Sequence, residues 1–158
     1  MVKDILDFVF KVLVLGTLFL MWTQCSEVIG CETISPEVEF ENDIVVTTII
    51  LEAGGEYQVG ALEAVYEVIM NRAKKRKKTP AQVCLQKWQF SCWNGMVIAD
   101  QIAKAKKHPR WVIAKNILGK ETNYTNGADH YHADYIDDPY WAKSMKVTVK
   151  IGKHIFYK

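Results

Sequence analysis

Glu52 closes an apolar run, residues 44–51, and is followed at once by Ala53-Gly54-Gly55. If that run is a helix ending at the glycines, the carboxyl group lies among apolar neighbours at the negative end of a helix dipole. Both features disfavour the ionised form. A carboxyl group that keeps its proton near neutral pH is what a general acid requires. The plain alternative is a helix-terminal glutamate that points into water.

Three other groups of residues have types and spacings that could do chemistry. Trp88, Phe90 and Trp93 are interleaved with Gln89, Ser91 and Asn94. Aromatic faces beside amides and hydroxyls suit a sugar, whose pyranose ring has apolar CH faces and a polar rim; the same aromatics could equally be core. His130-Tyr131-His132 would put two imidazoles on one face of a strand, with Asp134 on that face too, a geometry that could hold an ion. No His-Glu-x-x-His motif accompanies them, so structural or substrate-binding histidines are the favoured reading, and no metal or other cofactor is expected. A Cys–His nucleophile pair would need Cys84 or Cys92. The four cysteines, however, form two close pairs, Cys25 with Cys31 and Cys84 with Cys92, which read better as bridges in an oxidising compartment. Spacing alone leaves the connectivity open.

The chain that must position these groups has 158 residues, 49% of them hydrophobic and 24% charged, enough for one globular domain with a core. A net charge of +2 requires no nucleic-acid partner. Basic residues are clustered at Lys74-Lys75-Arg76-Lys77-Lys78 and at Lys104, Lys106, Lys107 and Arg110. They read as solvated helix ends or as attraction to a polyanionic surface such as a bacterial wall or membrane. Near the N-terminus, residues 12–22 carry no charge and follow Lys3, Asp4, Asp7 and Lys11. That length suits a signal-peptide core, or an anchor if residues 5–22 enter the bilayer. The expected organisation is a signal peptide or anchor over residues 1–22, a polar linker over 23–42, and a folded domain over 43–158 of an exported chain.

Within the domain, Asn42 or Asp43 is expected to cap a helix reaching residue 51. A second helix, residues 59–75, would bury Ala61, Ala64, Val65, Val68 and Ile69, with Gly60 permitting close packing. Thr79-Pro80 starts a short helix. Another covers residues 97–106, and one more runs from Pro109 to Gly119 with Val112, Ile113, Ile117 and Leu118 as its apolar face. The period then changes: residues 129–135 and 145–151 alternate, and Gly152-Lys153 turns into a last strand, 154–157. Helices followed by a small antiparallel sheet make the fold class α+β.

Taken in order, Ile50-Leu51-Glu52-Ala53-Gly54-Gly55-Glu56, Gly60-Ala61, Val68-Ile69-Met70-Asn71-Arg72, Gln89-Phe90-Ser91-Cys92-Trp93, Ala128-Asp129-His130-Tyr131-His132-Ala133, Pro139-x-Trp141 and Ile151-Gly152-Lys153-His154-x-Phe156-Tyr157 form a set. In this order and spacing the chain resembles the SleB-type cell wall hydrolases, the family of the spore cortex-lytic enzymes, from about residue 44 to the C-terminus. The resemblance implies a compact α+β catalytic domain related to lysozyme-like lytic transglycosylases. It implies peptidoglycan as partner and substrate, cut between N-acetylmuramic acid and N-acetylglucosamine. The family's catalytic glutamate falls on Glu52, its Gln-Phe-Ser segment on Gln89, Phe90 and Ser91, and its His-Tyr-His-Ala on residues 130–133. Tyr131 and His132, with Gln89, Phe90 and Ser91, are thereby expected to bind the sugar. The chain departs from the pattern at Ile50-Leu51, where the family has Tyr-Gly, and at Gly54, where it has Arg.

Glycosidases usually need two carboxylates. Glu56, Asp129 and Asp134 are the candidates for a second, and none is compelling. A lytic transglycosylase needs only one, which favours that reaction. The alternatives are a hydrolytic muramidase with an unidentified second carboxylate, a wall-binding module that has lost catalysis, and a metal-dependent hydrolase using His130 and His132. A bacterial and a phage source fit equally well.

Overall fold

Helix α1 (Pro36–Ala53) is the axis of the fold, and its residues from Asp43 to Ile50 are all buried. A helix apolar on every side belongs in the middle of a domain. α1 packs against α2 (Ala61–Arg76), α3 (Pro80–Leu85), α4 (Ile98–Lys106) and α5 (Trp111–Lys115). The computed structural model describes residues 34–158, of which Ser35–Lys158 form one compact unit.

α1 starts earlier than the sequence indicated. Ser35, not Asn42 or Asp43, is its cap: the Ser35 hydroxyl accepts from the Val38 N–H at 3.3 Å. Pro36 then fits the first turn, and Glu37 and Glu39 complement the positive end of the dipole. The acidic stretch expected to be linker is thus helical from Pro36 onward. The expected linker residues 23–33 and the expected signal or anchor, residues 1–22, lie outside the described residues. Among the described residues, no helix is long and apolar enough to cross a membrane.

Gly54 ends α1, its N–H bonding to the Ile50 carbonyl at 2.8 Å. Gly60 precedes α2 with φ of +84°, and a Cβ there would lie 2.5 Å from the Tyr124 ring, so the close packing expected of this glycine is present. α3 begins with a capping box between Thr79 and Gln82. α5 is shorter than expected, ending at Lys115, and its core side is Ala114 with half-buried Trp111, followed by Ile117 and Leu118, while Val112 and Ile113 face solvent.

The sheet order is β1-β3-β2, all antiparallel: β1 (His130–Ala133), β2 (Val147–Ile151) and β3 (His154–Tyr157). Tyr131 lies opposite Phe156, and Ala133 opposite His154. Ala61, Ala64 and Val68 of α2 meet Ala128, Ile151 and Phe156, which joins sheet to helices. The fold is α+β, as the change of period indicated.

Candidate active site

The C-terminal end of α1, strand β1 and the loop after α3 converge on one cleft of about 380 Å³. Its wall includes Glu52, Gln89, Phe90, Ser91, Tyr131 and His132, whereas Trp88, Trp93 and Asn94 do not line it. Arg72, His154, Tyr135 and Ile136 complete the wall with Leu51 and Ala133.

The Tyr131 hydroxyl donates to Oε2 of Glu52 at 2.8 Å. Burial, reinforced by the charge of Glu52, pushes the Tyr131 phenol well above its ordinary range, so it remains a donor. A proton carried by Glu52 would then sit on Oε1.

His132 occupies the other face of β1, stacked on Tyr157 with ring centroids 5.4 Å apart. Its Nδ1 lies 2.9 Å from the Ala133 carbonyl, which can only accept, so Nδ1 carries a proton. Nε2 meets the Tyr157 hydroxyl at 2.8 Å. His130 Nδ1 lies 2.6 Å from Asp129 Oδ1, and the ring packs on Trp141. The ring nitrogens that would have to meet an ion are thus turned to protein partners in three of four cases. Among the described residues, no three His, Cys, Asp or Glu side chains converge on a metal position.

The aromatic loop divides between core and surface. Phe90 is 2% exposed and forms the floor of the cleft beneath the Arg72 guanidinium, 5.1 Å from the ring centre. Trp93 is buried, its indole N–H donating to Thr48 Oγ1 at 2.9 Å. Trp88, in contrast, faces solvent.

Cys84 and Cys92 are free thiols, so the bridge that their spacing allowed is not formed. Cys84 is fully buried at the end of α3, whereas Cys92 belongs to the short 3-10 turn Ser91–Trp93. Burial pushes both thiols far up; for Cys92 the Glu52 carboxylate adds to it. Neither has the thiolate character of a nucleophile. Cys25 and Cys31 lie outside the described residues.

Arg72 and Asn71 were not singled out for a role from the sequence. Arg72 is buried, with Nε donating to the Asp129 carbonyl at 2.7 Å and Nη1 to the Gln89 carbonyl at 3.3 Å. Asn71 Nδ2 donates to the Ala128 carbonyl at 2.8 Å. Together they fasten the start of β1 and the aromatic loop to α2, and so fix two walls of the cleft. On the far side, Arg110 donates to the Gly54 and Glu56 carbonyls, holding the loop that follows Glu52.

Comparison with known proteins agrees with this fold. The crystal structure of the catalytic domain of the Bacillus cereus SleB protein superposes with a TM-score of 0.55, at 23% identity, over 76% of this chain and 91% of that one. No curated protein matches. The family model described as cell wall hydrolase matches residues 55–157, most of the chain. That span begins just after Glu52, whose place in the site rests on geometry. By the extent of this match, the chain belongs to the cell wall hydrolase family.

Proposed function

We propose that this protein cleaves the glycan strand of peptidoglycan between N-acetylmuramic acid and N-acetylglucosamine, as a lytic transglycosylase with Glu52 as its acid and base. Family membership supports peptidoglycan as the substrate, and with it a site of action outside the cytoplasm, facing the wall. The single-carboxylate mechanism is supported by the cleft wall: among the described residues that line it, Glu52 is the one carboxylate.

The other candidates for a second carboxylate are engaged elsewhere. Asp129 pairs with Lys75 at 2.6 Å and with His130. Asp134 pairs with Lys150 at 2.6 Å. Glu56 packs against Gly152, at the β2–β3 turn.

In the proposed reaction Oε1 of Glu52 gives its proton to the glycosidic oxygen as the C1–O bond breaks. Glu52, now a carboxylate, takes the proton of the muramic acid C6 hydroxyl. That oxygen attacks C1 and closes a 1,6-anhydro ring, so the acid is regenerated without water or a protein nucleophile. Tyr131 holds Oε2 throughout. Gln89 and Ser91 line the cleft with an amide and a hydroxyl suited to the sugar's polar rim.

Product mass spectrometry on vegetative and spore-cortex peptidoglycan tests this directly. Anhydro-muramic ends, about 18 Da (one water) below hydrolysed ends, are expected. Reducing ends would make the enzyme a hydrolase and require a second carboxylate. Absence of any product would favour a binding module.

A further inference from the structure

We propose that Trp88 is a stacking platform for the glycan strand at the rim of the Glu52 cleft, holding a sugar next to those in the cleft. This rests on the peptidoglycan reading above.

Trp88 is 72% exposed. One exposed aromatic residue is unremarkable by itself, but the backbone beneath this one is unusual. Gln89 N–H bonds to the Gln86 carbonyl at 3.0 Å, closing a turn, and Trp88 is the third residue of that turn with φ of +66°. Glycine or asparagine normally fills that position, because a Cβ crowds the backbone there. A bulky residue in left-handed geometry is an outlier, and such strain persists where surrounding structure enforces it, often at functional sites. Folding gains little from the indole, since most of it stays in water.

The surroundings suit a saccharide. The next three residues, Gln89, Phe90 and Ser91, form one wall of the cleft. Arg72 anchors the Gln89 carbonyl and covers Phe90, so the turn has a fixed base. Lys87 Nζ lies 5.3 Å from the Trp88 ring centre. It brings a positive charge to a surface that would meet the carboxylates of muramic acid and its stem peptide. Enough of Trp88 remains exposed beside Lys87 to offer the apolar CH face of a pyranose a flat partner. Tyr135, 75% exposed, borders the same cleft from the loop after β1. A cleft of about 380 Å³ is at the small end for ligand sites, so a polymer in it must run out over its rims.

The test measures binding of purified sacculi by the full chain carrying Glu52→Gln, which holds substrate without cutting it, with and without Trp88→Gly and Trp88→Tyr. Trp88→Gly is expected to weaken binding about tenfold, a usual size for losing an aromatic anchor, while thermal stability holds or rises because glycine accepts φ of +66°. Trp88→Tyr is expected to keep most of the affinity. Equal binding by the parent and Trp88→Gly overturns the proposal alone. A parent that binds no sacculi overturns the substrate reading, and this proposal with it.

Discussion

The Tyr131 hydroxyl reaches Glu52 Oε2 at 2.8 Å across 79 positions of sequence. Glu52 stands at the C-terminal end of the buried helix α1, and Tyr131 lies within β1, whose two preceding residues, Ala128 and Asp129, are tied to α2 by Asn71 and Arg72. The bond therefore locks the helical half of the fold to the sheet at the point where the proposed chemistry occurs. It also distinguishes the two carboxylate oxygens: Oε2 accepts from Tyr131, and in the proposed reaction Oε1 carries the proton.

Replacing Glu52 by Gln keeps the shape and still accepts the Tyr131 hydrogen bond, but removes the transferable proton. Activity on peptidoglycan is expected to fall at least ~10²-fold, the usual scale for a general acid, with unchanged circular dichroism and sacculus binding. Turnover near that of the parent would sink the assignment of Glu52.

Tyr131→Phe removes the donor and keeps the ring, which packs on Phe156 and His154. If Tyr131 orients Glu52, kcat is expected to drop about tenfold, the equivalent of one hydrogen bond to a charged group, with KM little changed. A rise in KM alone would make Tyr131 a binding residue instead.

Much of the site was legible in the sequence, for reasons of local chemistry. A carboxylate after an apolar run and before two glycines marks a helix end, though not that it faces a cleft rather than water. Alternation around residue 131 marks a strand. What was missed lies on the core face of α2. Arg72 continues the spacing of Val65, Val68 and Ile69, and Glu67 is buried beside them. Charged side chains in such places have buried partners far away in sequence: Glu67 accepts from the Tyr124 and Thr125 N–H groups at 2.7 and 2.8 Å. Their being out of place was readable; their partners were not. The α1 boundary was misread because Ser35-Pro36, a good helix start, precedes an acidic stretch that looks like linker until the helix dipole is considered. The apolar face expected at Val112 and Ile113 passed over Trp111 and Ala114, which with Ile117 and Leu118 form the side that meets the core.

Arg72→Lys tests the anchoring. Lysine cannot bridge two carbonyls and cover Phe90 at once. With both carbonyls on buried or half-buried backbone, the loss is expected to be about 2–3 kcal/mol, measured by urea denaturation. A change below about 0.5 kcal/mol, the range of ordinary surface substitutions, would show that the cleft walls do not depend on Arg72.

Cys84 and Cys92 are expected as free thiols in non-reducing peptide maps. Cys84, fully buried and pushed up to about 12 by that burial, should resist alkylation until the protein is unfolded. Recovery of a Cys84–Cys92 linked peptide from the untreated protein would contradict this part of the structure.

His154 makes stability depend on pH. Burial holds its imidazole below the ordinary value, about 6.5; His132 pushes the same way, while Glu56, Glu52 and Asp134 oppose them without prevailing. The unfolded chain therefore takes up this proton at higher pH than the folded chain, and between the two values stability falls as pH falls. Asp129 acts lower on the scale. Burial tends to raise its pKa, but the Lys75 and His130 hydrogen bonds outweigh that and hold the carboxyl below its usual range. Its contribution is present above the ordinary carboxylate value and is lost as pH drops through the folded one. The two are separable by range: His154→Gln should flatten the loss of thermal stability that begins as pH falls through the ordinary histidine value, about 6.5, and leave the loss in strong acid in place. If the variant and its parent lose stability in parallel from neutral pH downward, His154 is not the group responsible.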